Sequence, residues 1–159
     1  HDFINRVNPK DINKLQLEGL VKSGAFDKLE KNRKGIFETI PKLIQLNKNL
    51  NHRHFISKEL NKIFNKYDFK KKKYKQSSWL RYSFLTNNKE SIIKKNKNIE
   101  FEIWFTTVLN GRDKDFHKVG YEKNSCPNAE LIASKIINFP THLHFSKSDL
   151  NYIKKINNV

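Results

Sequence analysis

The sequence predicts an α+β chain, with an N-terminal helical hairpin followed by a small α/β layer domain. Three observations carry that prediction. Apolar residues in the first fifty positions recur near a 3.6-residue period, interrupted once at Gly24. Residues 51–76 are rich in lysine and read as a basic linker. From Trp79 onward, aromatic and β-branched stretches alternate with helical ones, the pattern of a layered domain over residues 77–159.

In the first segment, Asp11 is placed to cap a helix over Ile12 to Lys22, with Ile12, Leu15, Leu20 and Val21 on its apolar face. A break is expected at Ser23 to Phe26, because Gly24 reaches positive φ without steric cost. Asp27 is placed to cap a further helix with an apolar stripe of Ile36, Phe37, Ile40, Leu43 and Ile44. Pro41 falls inside that stripe and predicts a kink or break just before it. Two helices about a glycine turn have the form of a helix-hairpin-helix. Such a hairpin can aim backbone N–H groups at a phosphate, which gives sequence-independent contact and no base readout. A single-glycine turn between helices also serves plain packing, and the pattern alone does not separate the two.

In the last segment, "SWLRYSFLT" reads as a strand near 80–86 and "NKESIIKKNKN" as a short helix. The alternation of Ile99, Phe101, Ile103 and Phe105 with Glu100, Glu102 and Trp104 predicts a strand near 99–106. A loop follows over "NGRDKDFHKVGYEKNS". "PNAELIASKIINF" opens with proline in a first helical turn and is apolar at Leu131, Ile132, Ile136 and Ile137, which predicts a helix. "PTHLHFS" reads as extended, and Ser146 or Ser148 caps a closing helix. Cys126, His142 and His144 are the chemically suggestive residues here. They lack the spacing of a structural zinc site, and two histidines two apart on a strand point to opposite faces. A Cys–His nucleophile pair lacks a third orienting group. The plainer expectation is that Cys126 is a small buried residue beside a helix start.

Composition bounds the rest. No apolar run approaches the ~20 residues of a membrane span, and no signal segment opens the sequence. One cysteine excludes an internal disulfide and makes a reducing, cytoplasmic setting the expectation. The 159 residues contain no methionine and start at His1, too bulky for usual methionine removal, so a fragment or processed piece is expected. The net charge of +16 is uneven: residues 51–98 hold 14 basic and 3 acidic side chains, whereas residues 99–159 hold 8 and 7. Lys70, Lys71, Lys72 and Lys73 form the centre of that block. Such a block can neutralise phosphates in a salt-dependent way, or it is a solvated linker in a lysine-rich chain; no aromatic stacking pattern or Arg cluster in the sequence favours the former.

Two stretches add a resemblance each. "DFINRV", "LEGLVKSGAFDKL" and "NRKGIFETIPKLI", over about residues 2–46, resemble the helix-hairpin-helix segment of the bacterial DNA polymerase III alpha subunit. In that family the segment helps to hold duplex DNA. The resemblance implies that Lys22, Ser23, Gly24, Ala25, Lys28, Asn32 and Arg33 lie near a DNA backbone. The polymerase's catalytic carboxylates are not among these residues. "SSWLRYSFL", "IEFEIWFTTVLNGRD", "GYEKNSCPNAELIASKIINFPTH" and "SDLNYIKKI", over about residues 77–157, are similar to the C-terminal small domain of DegT-type aminotransferases. Those enzymes use pyridoxal phosphate to aminate keto-sugars. The family's Schiff-base lysine lies in its large domain, so the resemblance implies no catalytic residue, cofactor or metal ligand in these 159 residues. Glu102 stands where relatives often carry glycine.

The two resemblances concern unrelated families. Together they imply a catalytically incomplete fusion or fragment, joined near residues 47–55, whose partner is duplex DNA bound weakly and without sequence preference. Two alternatives stand beside it: a fragment of a sugar aminotransferase alone, and a small basic nucleic-acid-binding protein. Either way, the remaining domains of the parent proteins are expected partners.

Overall fold

The computed structural model describes residues 13–68, 70–71, 74, 77–101, 108 and 116–156. They divide into two units, residues 1–52 and 53–159.

The first helix, α1 (Lys14–Lys22), starts at Asn13 and not at Asp11, which lies outside the described residues. The Asn13 side chain accepts from the Gln16 backbone N–H at 3.0 Å, and the Gln16 side chain accepts from the Asn13 N–H at 2.8 Å. This reciprocal pair satisfies two helix-end donors. Val21 is buried as the periodicity predicts, but Leu15 is 75% exposed, because the helix starts only one residue before it. Residues 23–29 form a run of turns that extends past the expected break. The second helix, α2 (Arg33–Phe64), starts at Asn32, whose side chain accepts from the Gly35 N–H at 2.9 Å. Asp27 therefore caps no helix. Pro41 lies inside α2 without ending it. Proline removes one N–H, that owed to the carbonyl of Phe37, and Pro41 is on an exposed stretch where water can substitute.

The helix α2 carries on through residues 53–64, which charge alone assigns to a linker. Ile56 and Leu60 are fully buried there, with Ile63 and Phe64 packed against the same core. These residues follow the i, i+4, i+7, i+8 spacing of one helix face, and Lys58 and Lys62 are exposed on the rest of the surface. Asn65, at φ 48°, ends the helix.

The sheet of the second unit is two-stranded and antiparallel, with β1 (Arg81–Leu85) against β2 (Ile136–Pro140). Tyr82 faces Phe139 and Phe84 faces Ile137 across the register. Between the strands lie α3 (Lys89–Lys95), a 3-10 turn at Phe116–Val119, and α4 (Pro127–Lys135). The helix expected through Ile137 stops at Lys135, and Ile136 and Ile137 open β2 instead. Two β-branched residues that can pair with β1 are better placed in a sheet than in another helical turn. Leu131 and Ile132, expected on the inner face, are 53% and 46% exposed. The strand expected near 99–106 falls largely outside the described residues, and Ile99 itself sits in a turn, its N–H donating to the Asn96 carbonyl at 2.9 Å. The last helix, α5 (Lys147–Ile156), is capped by Ser146, whose hydroxyl accepts from the Ser148 and Asp149 N–H groups while Asp149 accepts from the Ser146 N–H.

The core of this unit is aromatic. The Phe64 ring lies 4.9 Å from that of Phe139 and 5.0 Å from that of Phe84, and Phe101 meets Phe139 edge-on at 4.9 Å. Asn61 ties the end of α2 to this core. Its side-chain oxygen accepts from the Lys66 and Tyr67 N–H groups and from the buried Tyr82 hydroxyl at 2.7 Å, and its NH₂ donates to the Tyr67 carbonyl at 2.7 Å.

Candidate nucleic-acid interface

The hairpin turn is closed by its own backbone. The Gly24 N–H donates to the Val21 carbonyl at 3.1 Å and the Ala25 N–H to the Leu20 carbonyl at 3.0 Å, the paired bonds of a Schellman motif about a glycine at φ 81°. The Ser23 N–H donates to the Gly19 carbonyl at 2.9 Å. The three N–H groups of Ser23, Gly24 and Ala25 thus terminate α1 and are already engaged. The hairpin pattern shows a turn here; it does not show that the turn consumes its own donors.

Arg33 is engaged too. Its guanidinium pairs with both carboxylate oxygens of Asp27, with Nε to Oδ1 at 2.8 Å, and its Nη1 donates to the Lys22 carbonyl at 3.2 Å. The fork links the turn to the last carbonyls of α1, where a cation also complements the helix dipole. This hydrogen bond holds the Asp27 carboxyl below its ordinary value and raises Arg33 further. Gly24 is packed beneath the clamp. A Cβ at Gly24 would meet the Arg33 guanidinium and lie 2.7 Å from Asp27 Oδ2. Asp27 is the residue that sequence reasoning misassigned, as a helix cap. An acid six positions before an arginine, just after a glycine turn, is the signal that would have found it.

The remaining hairpin residues are solvent-exposed, although the Asn32 side chain is spent on capping α2. Lys22, Lys28 and Asn32 are exposed, and the Lys22 ammonium lies 5.2 Å from the centre of the Phe37 ring. Lys70 and Lys71 are exposed in the second unit, and Lys72 and Lys73 lie outside the described residues. The structure therefore groups Lys22 to Arg33 in one turn and carries Lys70 and Lys71 on a separate unit.

The chemically suggestive residues of the last segment form no metal site: among the described residues, no group of three or more His, Cys, Asp or Glu could hold an ion. His142 and His144 lie in the turn after β2, with ring centres 5.9 Å apart. Cys126 stands at the start of α4 as expected, but it is exposed, not buried. Lys89 is a partly buried lysine whose pKa burial pushes down, and its ammonium donates to the Ala133 carbonyl at 2.9 Å.

Comparison with known proteins finds both resemblances. Residues 1–36 match the helix-hairpin-helix motif model. DNA polymerase III subunit alpha of Borreliella burgdorferi is 53% identical over 45 residues, and that of Rickettsia prowazekii 56% over 43. These matches cover 28% and 27% of the chain, and the chain spans about 4% of the length of each relative. The Caulobacter vibrioides subunit is 42% identical over 43 residues, 27% of the chain and 4% of the relative. No solved structure matches the chain. No helix among the described residues is long and apolar enough to cross a membrane. The second family model covers most of the sequence, from residue 39 to residue 156, so the chain belongs to the DegT/DnrJ/EryC1/StrS aminotransferase family and carries a helix-hairpin-helix motif ahead of that match.

Proposed function

We propose that this 159-residue chain is a catalytically incomplete fusion whose own activity is weak, sequence-independent binding of duplex DNA. The observation that carries the reading is the clamped hairpin, a rigid turn that matches a helix-hairpin-helix and presents Lys22, Lys28 and Asn32 to solvent. Because the Ser23, Gly24 and Ala25 N–H groups are engaged, side-chain charge supplies the hairpin's share of the contact. The hairpin's relatives are named as DNA polymerase subunits, which supports a DNA ligand. Lys70, Lys71, Lys72 and Lys73 add diffuse charge from the second unit, and Arg33 positions the turn.

Pyridoxal phosphate does not fit the described residues. Lys89, the lysine that burial favours in neutral form, is spent on a backbone carbonyl, and among the described residues no lysine lines the open cleft beside β1. The coverage of residues 39–156 favours one second reading, that the chain is a piece of a sugar aminotransferase in which the hairpin has no role.

A labelled short duplex titrated at rising salt tests the proposal. A Kd of roughly 10⁻⁴ to 10⁻⁶ M at physiological salt is expected for such binding, weakening steeply as salt rises. Changing Lys70 to Lys73 together to serine should remove most of the affinity and flatten the salt slope, and Gly24→Val should cost less. Absence of duplex binding at low salt overturns the proposal. A lysine aldimine trapped by borohydride after incubation with pyridoxal phosphate overturns the catalytic part.

A further inference from the structure

The basic block has an aromatic companion that only the fold brings together. Tyr67, Tyr74 and Trp79 converge on one cleft in the second unit, with ring centres 5.1 Å apart for Tyr67 and Tyr74 and 5.2 Å for Tyr67 and Trp79. The cleft has a volume of about 470 Å³, in the range of small-ligand sites. Ser77, Arg81 and Asn138 add polar edges, and among the described residues no Asp or Glu lines it.

The rings are held in place. The Tyr67 hydroxyl donates to the Ser83 carbonyl, and the Trp79 indole N–H donates to the Tyr74 carbonyl at 2.9 Å. Tyr67 and Tyr74 remain half-buried, with ring surface left for a ligand. Trp79 adopts φ 47°, a left-handed backbone that a bulky residue enters only when its surroundings impose it. The buried Thr141 hydroxyl sits within hydrogen-bond reach of both the Trp79 and Leu80 carbonyls, so its one O–H ties this stretch of backbone to the end of β2. Aromatic faces fixed before binding lose little entropy when a ring stacks on them.

We propose that this cleft takes an unstacked base of single-stranded nucleic acid, whose phosphates run along the exposed lysines Lys66, Lys70 and Lys71. Aromatic platforms beside a cationic track are the two components of sequence-tolerant single-strand binding. Electrostatics selects this ligand over an uncharged ring, because residues 51–98 hold 14 basic and 3 acidic side chains. The inference concerns the second unit alone and shares with the duplex reading only the lysine block.

The experiment compares a labelled short oligothymidine with an abasic phosphodiester of the same length and label, using the full chain at low salt. Oligothymidine should bind at least about fivefold more tightly, because stacking is lost with the bases. Tyr74→Ala should weaken oligothymidine binding by about fivefold to a hundredfold and leave the abasic strand unchanged, and Tyr74→Phe should retain binding. Gly24→Val should leave the single strand unaffected. Equal binding of the two strands overturns the inference, whatever becomes of the Tyr74 variants. So does Tyr74→Ala that keeps its circular dichroism and its affinity. Binding of the single strand without the duplex sinks the hairpin reading and leaves this one standing.

Discussion

Replacing Gly24 and Gly19 by alanine, one at a time, should move the hairpin in opposite directions. Gly24 sits at φ 81°, where an L-residue pays about 1–2 kcal/mol. Its new Cβ would also press on the Arg33–Asp27 clamp, 2.7 Å from Asp27 Oδ2. Gly19 lies on an exposed face of α1 with nothing within 4 Å of an added Cβ, so alanine there gains about 0.5–1 kcal/mol of helix preference. Hydrogen exchange over residues 14–30 reads both effects. Exchange at the Gly24 and Ala25 positions, bonded to Val21 and Leu20, should speed up by about fivefold to thirtyfold in Gly24→Ala. Gly19→Ala should slow exchange across α1. Unchanged protection in Gly24→Ala would refute the closed turn, and faster exchange in Gly19→Ala would refute the placement of that residue on a free helical face.

The clamp also titrates: with the Asp27 carboxyl held low by Arg33, its contribution is complete above the ordinary carboxylate pKa of about 3.9 and disappears as pH falls through the lower folded value, so protection of the Gly24 and Ala25 amides should fade only in strong acid. Burial, aided by Lys58, holds His54 below its ordinary value, so the unfolded chain takes up the proton first; stability should be full above about pH 6.5 and decline below it, and His54→Gln should flatten that slope in denaturant titrations. Asn61→Ala should cost about 2 kcal/mol or more by leaving the Tyr82 hydroxyl and the Tyr67 N–H without an acceptor, whereas Tyr82→Phe should cost about 1 kcal/mol. Residues 53–159 alone should unfold cooperatively, and residues 65–159 should not, because the shorter piece lacks Ile56 and Leu60, each worth about 2–5 kcal/mol in a domain stable by about 5–15.

Local signals were legible in the sequence. The break at Gly24, the strand at Arg81–Leu85, the helix at Lys89–Lys95 and the Ser146 cap all follow from spacing or from residues with one strong backbone preference. What was not legible depends on partners distant in the chain. Ile136 and Ile137 continue the period of α4, and only pairing with Leu85 and Phe84 turns them into a strand. Ile56 and Leu60 were hidden by the neighbouring Lys58 and Lys62, since charge marks a solvated face and says nothing about the opposite one. At the candidate interface, residue types identified the turn, but the hydrogen-bond count within it decided that Arg33 and the three N–H groups serve closure. The aromatic cleft draws Tyr67, Tyr74 and Trp79 from thirteen positions of sequence with no regular spacing, so no period announces it.

The place where the two family matches meet has a physical explanation in α2. One match ends at residue 36 and the other begins at 39, both inside the helix Arg33–Phe64, upstream of the junction near 47–55 that the two resemblances implied. An α-helix accepts such a join readily because each backbone bond spans only four residues, so either side needs only to favour helix. The burial pattern respects this. Ile40 is buried in the first stretch and Ile56 and Leu60 in the last, several turns apart. Between them the helix supports itself with side chains four apart: Gln45 donates to Asn49 at 3.1 Å, and Asn51 donates to Asn47 at 2.7 Å. Local polar pairs of this kind need no tertiary partner, so the middle of the helix makes no demand on the apolar positions that each unit requires. Buried side chains resume at Ile56, inside the stretch that charge alone assigns to a linker.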